Sequence, residues 1–211
     1  MHGTKDHTSS HTSGVVLHGA RFYDLIAWIF LRGKERAFRN KVAGIAGIKS
    51  GESVLDVGCG TGSLTIVAKE RAGSSEVCGI DPAPEMIAKA TKKAKKAGVE
   101  IAFQTSVIEK LPFPDGHFDV VLSSLMLHHL PKAAREQGAR EIRRVLKPGG
   151  RWLIVDFGGG EPRRKGILGH LHIRHGYIKM SDILDLLKGT GFQVSDSGPI
   201  GVRNLSYVLA K

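Results

Sequence analysis

The chain has 211 residues, of which 41% are hydrophobic and 24% are charged, which suits one globular domain. Its two cysteines, Cys59 and Cys78, are too few for a disulfide framework and lack metal-ligand spacing, so we expect a reducing, cytoplasmic environment. The longest strongly apolar run, residues 25–31, is far shorter than the ~20 residues needed to cross a bilayer.

The formal net charge of +11 is concentrated toward the two ends of the chain. Residues 1–50 carry 8 basic and 3 acidic side chains, residues 51–150 carry 14 and 12, and residues 151–211 carry 9 and 5. Basic flanks attract anionic partners such as phospholipid surfaces, nucleic acid or acidic small molecules. A soluble basic surface without a partner explains the same charges, and the sequence leaves both interpretations open.

The N-terminal region divides into a polar arm and an amphipathic helix. Residues 1–14 are rich in His, Ser, Thr and Gly and are predicted to be a disordered arm. Residues 15–211 are predicted to form a single domain. Within it, residues 20–46 have a helical pattern in which basic residues follow an apolar face made of Phe22, Leu25, Ile26, Ile29 and Phe30.

Strand-like and helix-like segments alternate from residue 53 onward. Strands are predicted at residues 53–57, 76–80, 101–104, 118–123 and 150–155. Helices are predicted at residues 64–72, 84–97 and 133–146, and a turn at residues 147–150 is predicted to end the last of them. This alternation predicts βαβ units and a parallel sheet with right-handed crossovers.

The C-terminal part departs from this alternation. A helix is predicted at residues 181–189, and two strand-like runs, 192–195 and 206–210, are interpreted as a hairpin that closes the sheet edge. The segment 158–180 is too long for a bare connection, so it is interpreted as a cap over a binding site.

The strongest motif is the glycine-rich turn of residues 54–62, Val-Leu-Asp-Val-Gly-Cys-Gly-Thr-Gly. Glycines at alternate positions after a strand allow a ligand to approach the backbone closely. The spacing differs from that of the dinucleotide fingerprint, because Ser63 stands where its third glycine would be. Asp56 would repel a pyrophosphate, but it suits a ligand that carries a cationic ammonium and a sulfonium.

A second acidic residue, Asp81, ends the next predicted strand, nineteen residues after Gly62. A carboxylate at this place can accept hydrogen bonds from both hydroxyls of a ribose. Further motifs stand at or after later strands, where ligands of open α/β sheets collect: Met86, Glu109-Lys-Leu-Pro-Phe113, the run of residues 123–131 and Leu146-Lys-Pro-Gly-Gly150.

Together these motifs make residues 20–157 resemble the class I S-adenosylmethionine (AdoMet)-dependent methyltransferases, especially those of ubiquinone and menaquinone biosynthesis and the phospholipid methyltransferases. The resemblance implies a Rossmann-like three-layer αβα sandwich whose seven-stranded, mostly parallel sheet has an antiparallel last strand. It also implies that AdoMet lies across the strand ends and is converted to S-adenosylhomocysteine (AdoHcy). The cofactor-binding residues that it implies are Tyr23, Asp56, Gly58, Cys59, Gly60, Asp81, Pro82, Met86, Val107, Ile108 and Ser123.

These residues have different implied roles. Gly58 and Gly60 would flank the methionine moiety, Asp81 would hold the ribose, and Met86 would pack on adenine. Ser123 would offer backbone groups near the amino-acid end, and Tyr23 matches a tyrosine of the N-terminal lid in many relatives.

One departure from the resemblance concerns adenine. Similar proteins usually have an aspartate at the position of Val107, where it accepts a hydrogen bond from the adenine amino group. Val107 cannot accept that bond, so recognition would rest on backbone near Ile108, on water or on Gln104. The loss of such a bond costs roughly 1.5–3 kcal/mol, and we expect weaker AdoMet binding than in similar proteins.

Methyl transfer needs alignment of the acceptor and exclusion of water, and it needs a general base only when the acceptor is protonated. His128 is the candidate base, and His128, His129, His172 and Tyr177 are candidate substrate residues; packing roles for the loop histidines are the alternative. The histidines of residues 170–175 lack a full ligand set, so no metal site is expected.

The predicted function is therefore methyl transfer to a small, lipophilic acceptor that resembles a quinone precursor or a phospholipid. The alternatives are methylation of nucleic acid, methylation of protein, a non-catalytic AdoMet-binding subunit and a dehydrogenase. The basic charge supports methylation of nucleic acid, and Val107 supports the non-catalytic subunit. Ser63 and Asp56 disfavour the dehydrogenase. The lid helices of residues 20–46 would roof the cofactor, and they would also suit peripheral contact with an anionic membrane. The oligomeric state is left open.

Overall fold

The computed structural model describes residues 33–158, 178–202 and 204–211. The helices are α1 (Glu35–Ile45), α2 (Ser63–Ala72), α3 (Pro84–Ala97), α4 (Lys132–Val145) and α5 (Met180–Gly189). The strands are β1 (Val54–Val57), β2 (Val77–Asp81), β3 (Ala102–Thr105), β4 (Phe118–Ser124), β5 (Leu146–Phe157), β6 (Val194–Pro199) and β7 (Leu205–Ala210). A short 3-10 helix, Leu127–His129, follows β4.

The seven strands form one sheet in the order β3-β2-β1-β4-β5-β7-β6. Strands β1 to β5 pair in parallel, whereas β7 runs antiparallel to both of its neighbours, β5 and β6. This topology confirms the predicted sheet and the predicted hairpin at its edge. The chain order reverses between β1 and β4, which is where an open α/β sheet forms a crevice for ligands.

Helices cover both faces of the sheet because side chains of each central strand alternate between two buried environments. In β1, Val54 packs in a cluster with residues of α1 and α2, whereas Leu55 packs in a second cluster with residues of α4 and α5. Helix α3 packs on β2 and β3 beside α2. The result is the predicted three-layer αβα sandwich.

Two sequence predictions about local structure are wrong. The helix predicted over residues 20–46 does not include residues 33 and 34, since Gly33 has φ +75° and α1 begins only at Glu35; residues 20–32 lie outside the described part of the chain. The turn predicted at residues 147–150 lies inside β5. Leu146 already pairs with Phe118, and the register shifts before the ladder resumes at Arg151, so these residues form an irregularity within the strand.

Among the helices of the described residues, none is long and apolar enough to cross a membrane.

Candidate active site

The glycine turn after β1 is fixed to the end of β2 by backbone hydrogen bonds. Gly58, Gly60 and Gly62 have φ values of 71°, 54° and 77°, which only glycine adopts at little cost. The N–H groups of Gly58 and Cys59 both donate to the carbonyl oxygen of Ile80 at 2.9 Å. These bonds hold the turn in one conformation.

Asp81 is joined directly to this turn. Its Oδ2 accepts a hydrogen bond from the N–H of Gly60 at 3.0 Å, and its Oδ1 accepts one from the N–H of Ala83, beyond Pro82, at 2.9 Å. Burial raises the pKa of Asp81, and these two bonds oppose the rise. Because a carboxylate oxygen has two lone pairs, each oxygen can still accept a hydroxyl donor. The two places that the sequence predicts to hold one ligand are thus adjacent.

Asp56 lies deeper than the sequence suggested. It is 1% exposed and faces α2, where its Oδ2 accepts a hydrogen bond from the hydroxyl of Thr65 at 2.6 Å. Within the described residues, no hydrogen-bond partner reaches its Oδ1. Burial raises the pKa of Asp56 to about 7, although the Thr65 bond and the charge of Arg39 lower it. An unpartnered buried carboxylate oxygen beside the glycine turn fits a cationic ligand group.

Side chains occupy the space next to two of the glycines. A Cβ at Gly58 would lie 2.9 Å from the side chain of Met126, and a Cβ at Gly62 would lie 2.9 Å from the Cβ of Ala90. These glycines therefore serve backbone conformation and packing. The packing partner Met126, which follows β4, was not predicted from the sequence.

The residues that the sequence predicts on the adenine side are almost completely buried. Met86, Val107 and Ile108 are 3%, 6% and 3% exposed, respectively. A Cβ at Gly138 would lie 2.5 Å from Cγ1 of Ile108, so this side chain points toward α4. Ile108 can therefore offer its backbone, but not its side chain, to a ligand.

The carboxyl end of β4 has a buried serine and an unusual backbone conformation. Ser123 is 2% exposed, and its hydroxyl oxygen accepts a hydrogen bond from Nε1 of Trp152 at 3.1 Å. Two residues later Leu125 has φ 59°, an unusual conformation for a residue with a side chain, and its N–H donates to Val155 at 2.8 Å. Such local strain is concentrated at functional sites.

His128 forms a buried pair with Asp156, at the end of β5. The two side chains are 6% and 0% exposed, and Nδ1 of His128 lies 2.7 Å from Oδ1 of Asp156. The backbone N–H of His128 donates to Oδ2 of the same carboxylate at 3.2 Å. The ring of His129 lies 3.9 Å from that of His128, and Phe157 contacts the His128 ring edge-on at 5.0 Å.

Sequence reasoning missed Asp156. Its position near the carboxyl end of a predicted strand was a usable signal, because the other singled-out acids and histidines stand at equivalent places. Three predicted site residues, Tyr23, His172 and Tyr177, lie outside the described residues, as do most of the predicted cap and the first part of the predicted lid.

Comparison with known proteins now adds to this geometry. A family model described as "Methyltransferase domain" matches residues 54–150, which run from β1 into β5 and include the glycine turn, Asp81 and His128. The chain contains a methyltransferase domain. The glycine turn and Asp81 thus lie within the part of the chain that matches this domain.

Two curated relatives are similar to this chain. A demethylmenaquinone methyltransferase from Thermus thermophilus is 37% identical over 147 residues, which cover 70% of this chain and 64% of the relative. A ubiquinone/menaquinone biosynthesis C-methyltransferase UbiE from Bdellovibrio bacteriovorus is 32% identical over 136 residues, covering 64% of this chain and 57% of the relative. The chain thus spans less than two thirds of the length of these relatives.

One solved structure agrees with the fold. A SAM-dependent methyltransferase from Aquifex aeolicus superposes with a TM-score of 0.75 at 24% identity, covering 92% of this chain and 98% of that one. This likeness supports the Rossmann-like architecture of the chain.

Proposed function

We propose that this chain binds AdoMet and transfers its methyl group to a small, lipophilic acceptor of the quinol type, releasing AdoHcy. The observation that carries the proposal is the direct bond between the glycine turn and Asp81, which combines a backbone surface and a carboxylate at one crevice. The 37% identical relative named demethylmenaquinone methyltransferase supports the acceptor class.

The described residues fit the cofactor chemically. Asp81 would accept the ribose hydroxyls, and the unpartnered oxygen of Asp56 would face the ammonium group. Backbone at Gly58, Gly60 and Ser123 would surround the methionine portion, while Met86 and Val107 would form an apolar wall for adenine. Tyr23 is the proposed lid residue. The bound cofactor supplies a methyl group that is already activated on a sulfonium.

Half-buried apolar side chains around the 3-10 helix support a lipophilic acceptor. The residues that are only partly buried here are Met126 and Leu130 on either side of the helix, Phe157, whose ring contacts His128, and Met180, which lies beside Gly158. An apolar surface with a few polar groups is typical of small-molecule sites, and His128 and His129 supply polar groups beside it. We also propose His172 and Tyr177 as acceptor residues of a cap formed by residues 158–180.

Residues 20–46 are proposed to cover the cofactor and to contact anionic lipid through their basic side chains. The proposal predicts that the protein sediments with anionic vesicles and not with neutral ones at low salt. Equal sedimentation with both vesicle types would refute electrostatic docking.

A binding test and an activity test separate the cofactor from the acceptor. AdoMet and AdoHcy at millimolar concentration are expected to raise the melting temperature, whereas NAD is not. With AdoMet and a reduced, short-tailed demethylmenaquinone, mass spectrometry is expected to detect a singly methylated product. No thermal shift with either AdoMet compound would refute the function. A shift combined with methylation of phosphatidylethanolamine instead of the quinol would refute the acceptor class.

A further inference from the structure

The buried pair of His128 and Asp156 has a geometry that fixes one tautomer of the imidazole. Asp156 can only accept hydrogen bonds when ionised, so the nitrogen that faces it at 2.7 Å, Nδ1, must carry a proton. A neutral ring with a proton on Nδ1 has an unprotonated Nε2. The described residues place no hydrogen-bond partner on that nitrogen.

Three further contacts hold the pair in place. The N–H of His128 donates to Oδ2 of Asp156 at 3.2 Å, and the N–H of Phe157 donates to Oδ1 at 2.8 Å. The ring of Phe157 packs edge-on against the imidazole with a centroid distance of 5.0 Å. Neither side chain can rotate without breaking several contacts, so the imidazole is preorganised.

The pair lies close to the glycine turn in the fold. His128 belongs to the 3-10 helix after β4, and β4 is the direct neighbour of β1, from which the glycine turn extends. Within the same segment, Met126 packs on Gly58, the first glycine of that turn. Since Gly58 is proposed to flank the methionine portion of the cofactor, His128 stands on the side from which an acceptor approaches.

We propose that His128 acts as a general base through Nε2, that Asp156 is the positioning residue for it, and that the hydroxyl of the proposed quinol acceptor loses its proton to this base. This inference rests on the proposed function. A new bond forms between the acceptor and the methyl carbon, the sulfur–methyl bond breaks, and its electron pair stays on sulfur. The hydroxyl proton of the acceptor moves to Nε2 of His128, and solvent later removes it. When a ring carbon is the atom methylated, its hydrogen then leaves to solvent as a proton, and the carbonyl oxygen formed takes up a proton to restore the hydroxyl.

The alternative role is purely structural, in which the pair only ties the 3-10 helix to β5. Both roles predict that substitution harms the protein, so loss of activity alone cannot distinguish them. A general base, unlike a structural link, can be replaced by a small base from solution. The experiment therefore uses chemical rescue, with His129 as a matched neighbour.

The first test compares His128→Gly with His129→Gly, using AdoMet and the reduced short-tailed demethylmenaquinone. His128→Gly is expected to lower kcat by roughly 10²–10⁴-fold, with the KM for AdoMet and the AdoHcy affinity unchanged. Added imidazole is expected to restore kcat at least tenfold in His128→Gly, since it fills the vacated space beside Asp156, and to leave His129→Gly unaffected. A folded His128→Gly protein that binds AdoHcy but is not rescued would overturn the assignment.

The second test needs no activity and no loss of the histidine. Long-range ¹H–¹⁵N spectra of histidine-labelled protein without ligand are expected to show His128 with its proton on Nδ1, and Asp156→Asn is expected to abolish this preference. Asp156→Asn should lower kcat without changing AdoHcy affinity. A wild-type spectrum with the proton on Nε2 would overturn the proposal while leaving cofactor binding intact. A wild-type protein that binds no AdoHcy would instead refute the proposed function itself.

Discussion

Asp56 provides a quantitative test of how the glycine turn is built, because its carboxyl group is buried without full hydrogen bonding. Burial raises the pKa of this group to about 7 in the folded protein, compared with 3.8 for an ordinary aspartate. At a pH between these two pKa values, the Asp56 carboxyl group holds a proton in the folded state that it has released in the unfolded state. The free energy of unfolding therefore falls as the pH rises through this window.

The size of the effect follows from the pKa difference. A shift from 3.8 to about 7, at about 1.4 kcal/mol per unit, corresponds to a loss of roughly 4 kcal/mol between pH 4 and pH 8. Asp56→Asn removes the titrating group and keeps its shape. We expect the variant to gain roughly 4 kcal/mol relative to the wild type across this pH range, whatever its stability at the acidic end.

Urea denaturation followed by circular dichroism, at a series of pH values, measures this difference directly. Asp185→Asn is the matched control, because it makes the same chemical change at an exposed position on α5. The free energy of unfolding of the control should change with pH in the same way as that of the wild type. If the Asp56→Asn and wild-type stabilities also run parallel with pH, the argument that Asp56 is buried in an unfavourable charged form is wrong.

Three further substitutions test the site. Asp81→Asn should weaken AdoHcy binding roughly ten- to hundredfold in calorimetry, because loss of a charged hydrogen-bond acceptor costs about 1.5–3 kcal/mol. An unchanged affinity would refute the proposed role of Asp81 in binding the ribose. In urea denaturation, Gly62→Ala should lower the free energy of unfolding by about 1–3 kcal/mol more than Gly98→Ala does. Both glycines have positive φ, but only Gly62 has neighbouring atoms in the space that a Cβ would occupy. Equal losses of stability in the two variants would refute the packing argument. Val107→Asp should tighten AdoHcy binding about tenfold or more, because it supplies an acceptor for the adenine amino group; no gain in calorimetry would show that adenine is recognised elsewhere.

The order of helices and strands was predictable because the sequence pattern that marks each of them is local. The apolar run of β1 and the glycines after it mark a strand and its turn whatever surrounds them, and the structure places β1 at Val54–Val57. Asp81 could be assigned to a strand end from spacing alone. Parallel pairing of β1 with β2 then brings Asp81 close to the glycine turn, where it accepts a hydrogen bond from the N–H of Gly60.

The missed features depend on residues that are distant in sequence. Asp156 becomes a partner of His128 only because β5 lies beside β4, 28 residues later in the chain. The contact of Met126 with Gly58 likewise depends on the strand order. At residues 147–150 the Pro-Gly-Gly signal correctly indicated irregular backbone, but pairing of Leu146 with Phe118 placed it inside a strand.

The central claim is that the glycine turn and Asp81 hold one AdoMet molecule, and a crystal structure of the protein with AdoHcy tests it most directly. The account predicts ribose hydroxyls within hydrogen-bond distance of the Asp81 carboxylate and the amino-acid portion against Gly58 and Gly60. AdoHcy density elsewhere on the sheet, or a ribose turned away from Asp81, would contradict it.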